Sequence, residues 1–476
     1  MGLAKQSHPK PERASEVRYK KRSLQSSRIS PLPIAFVHQD MTSYSGLALV
    51  DRYLRLLDLH GRVREKLRHF SFRGDYGIWN LVVLVVLILI VGVERLSHIE
   101  YLKDDPLFRR VSRLPRLPHR TTLIGMLKQF TADSLKALIE LNAELVIEQL
   151  QRLGLGEVTA DIDGSVLSTR GHPTWAFKGY NPIRKGARSY FPLTAHIGET
   201  GHFLTILNRP GNVHDSKRAI HMLQLVRKAL RGFVVRFRLD SAFCGAEIVD
   251  FLLDRGHRFA IKAPFWKLKL LPQAIRTRER WRRLDDTWSY FWTWDCLPKS
   301  RWHHPALVLR KRVGEPKAVQ FDLFHPNNGV YEFMAILTDS TEWDPAELLA
   351  FMNGRSGHEN SLGELKSDFA FDHIPTNQYQ ANSAYLLMSQ MAYNVSLSMR
   401  HEVGLVQEHR AQNPKRTRFF RTWKMTAFRF LVLFKAGRIG VHHGKRTLAL
   451  SSNEPTRQLY HRIGIGLEAL GESLAA

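Results

Sequence analysis

The stretch "EVTADIDGSVLS" (157–168) decides how the chain is to be read. Val158, Ala160 and Ile162 alternate with Thr159, Asp161 and Asp163, the period-two pattern of a strand with one apolar face. Upstream, between about 46 and 150, apolar residues recur at helical spacing, as in "LALVDRYLRLLDL" (47–59) and "SLKALIELNAELVIEQLQRLGL" (134–155). Downstream, "SYFPLTAHIGETGHFLTILNRPG" (189–211) reads as strands joined by a Glu-Thr-Gly hairpin turn. "HDSKRAIHMLQLVRKAL" (214–230) then reads as a helix, "FVVRFRLD" (233–240) as a strand and "AEIVDFLLDRG" (246–256) as a helix closed by Gly256. Strands followed by a helix, a strand and a helix predict an α/β sheet with helices packed against it.

Around this unit the grammar changes twice. Residues 266–335 alternate in strand fashion without a long helix, in "TWSYFWTWDC" (287–296), "ALVLRKRV" (306–313) and "AVQFDLFH" (318–325), which predicts a β-rich insertion. The α/β pattern resumes with the strand "EFMAILTD" (332–339), the helix "PAELLAFMN" (345–353) and the helix "NSAYLLMSQMAYNVSLSM" (382–399). The segments expected are therefore a flexible basic arm (1–45), a helical domain (46–150), an α/β domain in two parts (151–265 and 336–400) divided by the insertion (266–335), and a basic region (401–476). Within the helical domain, "RRVSRLPRLPHRTTLIGMLKQF" (109–130) suits either a helix-turn-helix DNA reader, its Thr pair capping the second helix, or a plain helical connector.

Seventy Lys and Arg against 44 Asp and Glu leave a net charge of +26, which points to a polyanionic partner, nucleic acid first. Two cysteines, Cys244 and Cys296, exclude a disulfide framework and suit a reduced compartment. The N-terminal residues carry cations without an apolar run, unlike a secretory signal. The apolar run "LVVLVVLILIVGV" (81–93) has 13 residues, whereas a membrane span needs about 20, so it is read as an element buried on all sides. His214, His442 and His443 have no Cys partners at zinc spacing and are read as structural or phosphate-facing.

Asp163 and Asp240 each end an apolar strand and precede a small residue and a turn, in "DGS" and "DSA". The carboxyl ends of neighbouring strands in an open sheet are where ligand sites form, and two acids placed there need a cation, for which Mg²⁺ is the hard-oxygen choice. Each Asp also suits a plain helix N-cap or turn, and Asp161, on the same strand face as Asp163, is a rival for the first acid. A third acid would complete a two-metal site. In "NGRSGHENSLGELK" (353–366), Arg355, Glu359 and Lys366 are spaced by four and seven and share a helix face, whereas Glu364 points ~140° away from Glu359. Glu359 is thus the candidate acid, Arg355 and Lys366 candidate phosphate contacts, and Glu364→Ala is expected to be nearly silent where Glu359→Ala is not. The competing reading makes "SGHE" a capping box with Ser356 as N-cap, and Gly354 and Gly357 weigh against a helix reaching back to Arg355.

Several blocks in order resemble the DDE insertion-sequence transposases that carry a Tyr-Arg-Glu-Lys signature: "DIDGS", "GYNPIRKGARSYFPL", "ILNRPGNVHDS", "FRLDSAFCGAEIVDFLLDRG" and the Arg355, Glu359, Lys366 set. Met352 stands where the signature has tyrosine. The resemblance covers roughly 155–400. It implies an RNase H-like α/β mixed sheet interrupted by the insertion, Asp163, Asp240 and Glu359 as metal-binding catalytic acids, Arg355 and Lys366 on DNA phosphates, and Mg²⁺, with Mn²⁺ as substitute. It further implies cleavage at element ends and strand transfer into target, on double-stranded DNA (terminal repeats and target), by a homodimer in the bacterial cytoplasm at the nucleoid, with no membrane role. Related enzymes place a base-stacking aromatic in the insertion; of Trp281, Trp288, Trp292, Trp294 and Trp302, Trp288 or Trp292 is expected to be exposed and the other four to fill the core. A nuclease of the same fold and a catalytically silent DNA-binding regulator are the alternatives.

Overall fold

The computed structural model describes residues 34, 40–214, 216–313, 326, 329–409 and 419–475. Most of the basic arm, the strand expected at "AVQFDLFH" (318–325) and residues 410–418 of the basic region lie outside the described residues.

The helical region opens with α1 (Leu47–Leu56), α2 (Leu59–Leu67), α3 (Ile78–Ile90) and, after shorter helices, α4 (Ala132–Arg152). α3 contains most of the 81–93 apolar run. Its Ile78 and all ten residues from Leu81 to Ile90 are buried, as expected for an element surrounded by protein on every side. No helix among the described residues is long and apolar enough to cross a membrane. The short helix Arg120–Leu127 is capped by His119, whose ring accepts from Thr121 N. Thr121 and Thr122 lie inside its first turn, so the Thr pair does not cap it.

The central sheet has nine strands: β1 (Glu157–Gly164), β2 (Leu193–Ile197), β3 (Phe203–Leu207), β4 (Val234–Leu239), β5 (Arg258–Lys262), β6 (Arg282–Arg283), β7 (Trp288–Trp294), β8 (Pro305–Arg312) and β9 (Tyr331–Thr338). Their order is β6-β7-β8-β9-β5-β4-β1-β2-β3. β2 is antiparallel to both β1 and β3, while β1, β4 and β5 are parallel. This is the RNase H-like mixed sheet implied by the resemblance. Helices α5 (Ala219–Ala229) and α6 (Ala246–Asp254) supply the crossovers that parallel pairing requires. The strands of 282–338 do not form a separate β unit: β9 pairs antiparallel with β5, and β8, β7 and β6 extend the same sheet outward.

The two faces of the sheet differ. Val158, Ala160 and Ile162 of β1, with Phe237 and Leu239 of β4, pack against Leu223, Val226, Val249 and Leu252 of α5 and α6. The opposite face is polar and also buried: Thr159, Asp161, Thr194, His196 and Arg238 are each at most 5% exposed. It is covered by α7 (Pro345–Asn353) and α8 (Ser356–Asp368). Finally, α9 (Tyr379–Glu402) is buried along nearly all its length, and α10 (Glu454–Ala475) ends the chain. The polar residues of α9 have a task at the sheet's last strand. Asn394 Nδ2 and Gln390 Nε2 donate to Phe203 O, and Phe203 N donates to Asn394 Oδ1. Side chains of a helix thus meet backbone groups that an edge strand would leave unpaired.

One end of α9 carries an acid-sensitive pair. His202, hydrogen-bonded to Thr200 Oγ1 and Ser398 Oγ, lies 5.6 Å ring to ring from His401. Burial, with the neighbouring His401 and Arg400 charges, drives His202 well below its ordinary range, and burial holds His401 at about 4. A histidine held neutral in the fold binds fewer protons than in the unfolded chain once pH drops below about 6.5, so stability falls with falling pH there. Thermal unfolding followed from pH 7 to pH 5 is expected to show a loss of about 1.4 kcal/mol per pH unit per histidine, and His202→Gln should flatten that dependence.

Candidate active site

The strand register brings the two aspartates together. β1 and β4 are parallel with Asp161 opposite Arg238 and Ile162 opposite Leu239, so Asp163 and Asp240 follow at matched positions on one face. Neighbouring strands are ~4.8 Å apart, which sets the scale of their separation. Asp240 accepts from Ser241 N and caps the short turn Ser241–Phe243, while Asp163 accepts from Gly164 N. Each Asp thus fills the turn-forming role, with a second carboxylate oxygen left for other partners.

That partner is Arg355. Its Nη2 lies 2.6 Å from Asp163 Oδ2 and its Nη1 3.6 Å from Asp240 Oδ2. One guanidinium therefore joins residues distant in sequence. Side-chain exposures of 22% for Asp163 and 32% for Asp240 leave the acids open to solvent on one side.

Asp161 belongs to a different structure. Fully buried, it receives Arg238 Nε at 2.5 Å, Arg238 Nη2 at 2.8 Å and His196 Nδ1 at 3.2 Å. Burial by itself would raise its pKa, but the hydrogen bonds from Arg238 and His196 outweigh that and hold it at about 2. Arg238 Nη1 also donates to Phe351 O at the end of α7, at 2.5 Å. Asp161 is a structural anchor for the helices above the sheet, which removes it as rival to Asp163.

Those helices meet at a tight joint. Gly354 and Arg355 keep right-handed helical backbone between α7 and α8, and Gly354 N donates to Ala350 O. At Gly354 a Cβ would collide with Arg238 Nη1, so a close approach requires the glycine that the sequence reading counted against a helix. No capping box forms: Arg355 occupies the N-cap position without a side-chain cap, and Ser356 Oγ donates to Asn353 O. α8 is held down by His358 Nε2 with Thr194 Oγ1 at 3.1 Å and by Ser361 Oγ with His196 Nε2 at 3.0 Å. His358 is buried, which pushes its pKa down to about 3, with the His196 charge adding to the shift.

Glu359, one turn beyond Arg355, is exposed and makes no hydrogen bond or ion pair among the described residues. Lys366 is half-buried; burial lowers its pKa, opposed by the charges of Asp372 and Asp163, which places it in the field of the first acid. Met352 is buried in the cluster of Leu307, Leu309, Leu348 and Leu349, so the residue standing for the signature tyrosine is a packing residue. Glu364 does point away from Glu359, but not into solvent. It accepts from Arg400 Nη1 at 2.9 Å and Met425 N at 3.1 Å, and the Arg400 side chain is fully buried. Glu364 is thus a structural residue, and its replacement bears on stability, because a helix inside the protein has partners on both sides.

Oxygen donors of this kind suit a hard divalent cation in their chemistry, but Glu359 is not gathered with the two aspartates. Two carboxylates converge at the strand ends, a third is exposed one turn from the guanidinium that bridges them, and His358 Nδ1, buried without a hydrogen-bond partner, is 3.8 Å from Asp163 Oδ2. Among the described residues no three His, Cys, Asp or Glu side chains stand ready as a metal-holding group; the positive charge between the aspartates is Arg355.

The tryptophans distribute differently from expectation. Trp288 and Trp292 are partly buried against the Leu307, Leu309 and Leu348 cluster, together with Tyr290 on the same strand face. Trp281 packs on Phe291 at 4.7 Å. Of the five, the exposed ones are Trp294 (52%), the last residue of β7, and Trp302 (49%), in the loop beyond it, where its Nε1 donates to Asp254 Oδ1. His442 and His443 are exposed beside a hairpin turn, and His214 contacts Ser216.

An RNase H-like sheet with two acids at adjoining strand ends, under a helix bearing an arginine and a glutamate, is the frame of a DDE-type transposase. Residues 25–472 match the family model described as Transposase DDE domain group 1, and the chain belongs to that family. Among solved structures it is similar to a piggyBac transposase in a synaptic complex with hairpin DNA, at 10% sequence identity and a TM-score of 0.43, over 90% of this chain and 81% of that one. No curated protein matches.

Residues missed by the sequence reading are the supporting ones: Arg238, His196, His358 and Thr194. A signal for Arg238 was present, since an arginine between Phe237 and Leu239 in an apolar strand needs a buried partner, and Asp161 is the acid at the equivalent place in β1. Glu364→Ala is expected to lose ~3–5 kcal/mol of stability by leaving Arg400 buried and unpaired, whereas Glu359→Ala should stay within ~0.5 kcal/mol of the parent; urea unfolding of both variants checks this.

Proposed function

We propose that the protein cleaves DNA at the ends of an insertion sequence and joins the freed 3′-hydroxyl to target DNA, with Asp163, Asp240 and Glu359 holding divalent metal. The observation that carries this reading is the Arg355 guanidinium paired with both Asp163 and Asp240, in a chain of the DDE transposase family. Mg²⁺, with Mn²⁺ as substitute, would supply activation of the attacking oxygen and neutralisation of the leaving oxygen in an in-line displacement.

The chain's own groups do the rest. Asp163 and Asp240 act as metal ligands, not as proton shuttles. Arg355 has two ends that now lie on carboxylates and an Nε without a hydrogen-bond partner. A DNA phosphate offers the same fork a competing bidentate partner. Lys366, near Asp163 and half-buried, contributes a point charge to the same strand. His358, neutral and buried, keeps α8 on the sheet while Arg355 changes partners. The +26 surplus binds double-stranded DNA, element termini and target alike, with log affinity falling by ~0.9 per phosphate contact per decade of salt. A homodimer would bring two ends together, at the bacterial nucleoid.

Asp240→Ala is expected to retain end-DNA binding and to lose cleavage; cleavage at the parent rate would sink the assignment. In a strand-transfer assay with 3′-hydroxyl donor DNA, joined products support a transposase, and cutting without joining indicates a nuclease of the same fold. Arg355→Gln removes the cation that competes for the aspartates. Mn²⁺ binding by the free protein, measured by calorimetry, is expected to tighten roughly tenfold while end-DNA binding weakens. Unchanged Mn²⁺ affinity would separate Arg355 from the metal site.

A further inference from the structure

Beyond the acids, β1 leads within four residues into a small three-stranded sheet made of Leu167–Ser168, Arg188–Tyr190 and Phe177–Lys178. Four residues span at most ~14 Å, so this sheet adjoins the candidate site. Its two connections contain Trp175, 59% exposed, between Ser168 and Phe177, and Tyr180, 82% exposed, between Lys178 and Arg188. Trp175 has a φ of +66°, the left-handed region that a bulky side chain rarely adopts.

The strain at Trp175 is fixed from both sides. Thr174 N donates to Asn377 O, Tyr379 N donates to Thr174 Oγ1, and Tyr190 Oη donates to Thr174 O. On the other side Arg188 Nη1 donates to Ala176 O, and Ala176 N to Pro173 O. Five hydrogen bonds flank one strained, solvent-facing indole. The indole lies against Tyr379, ring centroids 6.0 Å apart, yet stays more than half exposed, and strain that the surroundings over-determine marks functional sites.

The charge around the indole identifies what it meets. Between Gly164 and Gly198 the chain has no acidic residue. Arg170, Lys178, Arg184 and Lys185 are all exposed, and none is paired with an acid among the described residues. Exposed aromatic rings set among unpaired cations form a surface for a nucleic-acid strand whose bases are unstacked, each base on a ring and each phosphate on a cation.

We infer that Trp175 is a stacking residue for an unpaired base of the DNA end, with Arg170, Lys178, Arg184 and Lys185 along the same strand. This site lies outside the insertion where a base-stacking aromatic was expected. It rests on the proposed DNA-end chemistry. It adds a preference for DNA whose terminal nucleotides are unpaired.

The test uses the full chain and two 30-base-pair probes, one blunt and one forked with four unpaired nucleotides that include 2-aminopurine. The parent is expected to bind the fork more tightly and to quench the 2-aminopurine. Trp175→Ala should lose about tenfold in fork affinity together with the quenching, keep blunt-duplex affinity within about twofold, and be largely rescued by Trp175→Phe. Trp175→Gly, which suits a positive φ, should melt no lower than the parent. Trp175→Ala binding and quenching the fork as the parent does would overturn the inference, as would a lower melting temperature for Trp175→Gly with fork binding intact. A parent that binds neither probe would overturn the proposed function itself.

Discussion

The buried pair of Asp161 and Arg238 fixes the geometry on which the candidate site depends. It joins β1 to β4 across the sheet, and the guanidinium's remaining nitrogen reaches Phe351 O, so the same arginine sets the height of the α7–α8 joint. An isolated charge in this position would be costly; here the carboxylate has two donors, and the guanidinium lies on the Phe351 ring at 5.1 Å. Because the joint cannot slide, Arg355, the next residue but three after Phe351, arrives over the aspartates. The catalytic candidates are thus placed by a second set of polar residues one pleat further back in the same two strands.

This layering explains what sequence reading reached. Alternation in β1 and β4 was legible because the apolar half faces α5 and α6, and hydrophobic period is a direct record of burial. The polar half reads as solvent-facing in any such pattern, yet it is buried under α7 and α8. Nothing in the period distinguishes a polar face met by water from one met by a helix. The same blindness affected Glu364: its angular separation from Glu359 was read correctly, but direction says nothing about what stands there, and the partner Arg400 is 36 residues away.

Joints and edges are where a local pattern says least. Gly354 and Gly357 read as helix breakers, and Ser356 as a cap, because propensity describes a helix in water. In the fold, Gly354 is needed for contact with Arg238, and the helical backbone runs through Arg355. The strands of 282–338 read as a β-rich insertion, and their pairing attaches that insertion to the central sheet through β9 and β5. Composition marks a change of grammar, but only hydrogen-bond partners show whether a segment stands alone.

Electrostatics links the anchor to the proposed chemistry. Two carboxylates about 5 Å apart at an effective dielectric near 20 repel by about 3 kcal/mol, so a cation between Asp163 and Asp240 relieves a real cost. In the described structure that cation is Arg355. In the proposed reaction it is a divalent ion, and both cannot occupy the same place. The departure of Arg355 leaves its fork without acceptors unless another anion takes it, and the anion at hand is the DNA backbone. Metal entry and DNA arrival are then linked through a single side chain, each favouring the other by the free energy of the ion pairs exchanged. Such a linkage would keep the acids neutralised, and the site inactive, in protein that is not on DNA. It needs no moving domain, only one arginine on a helix that Asp161 and Arg238 hold still.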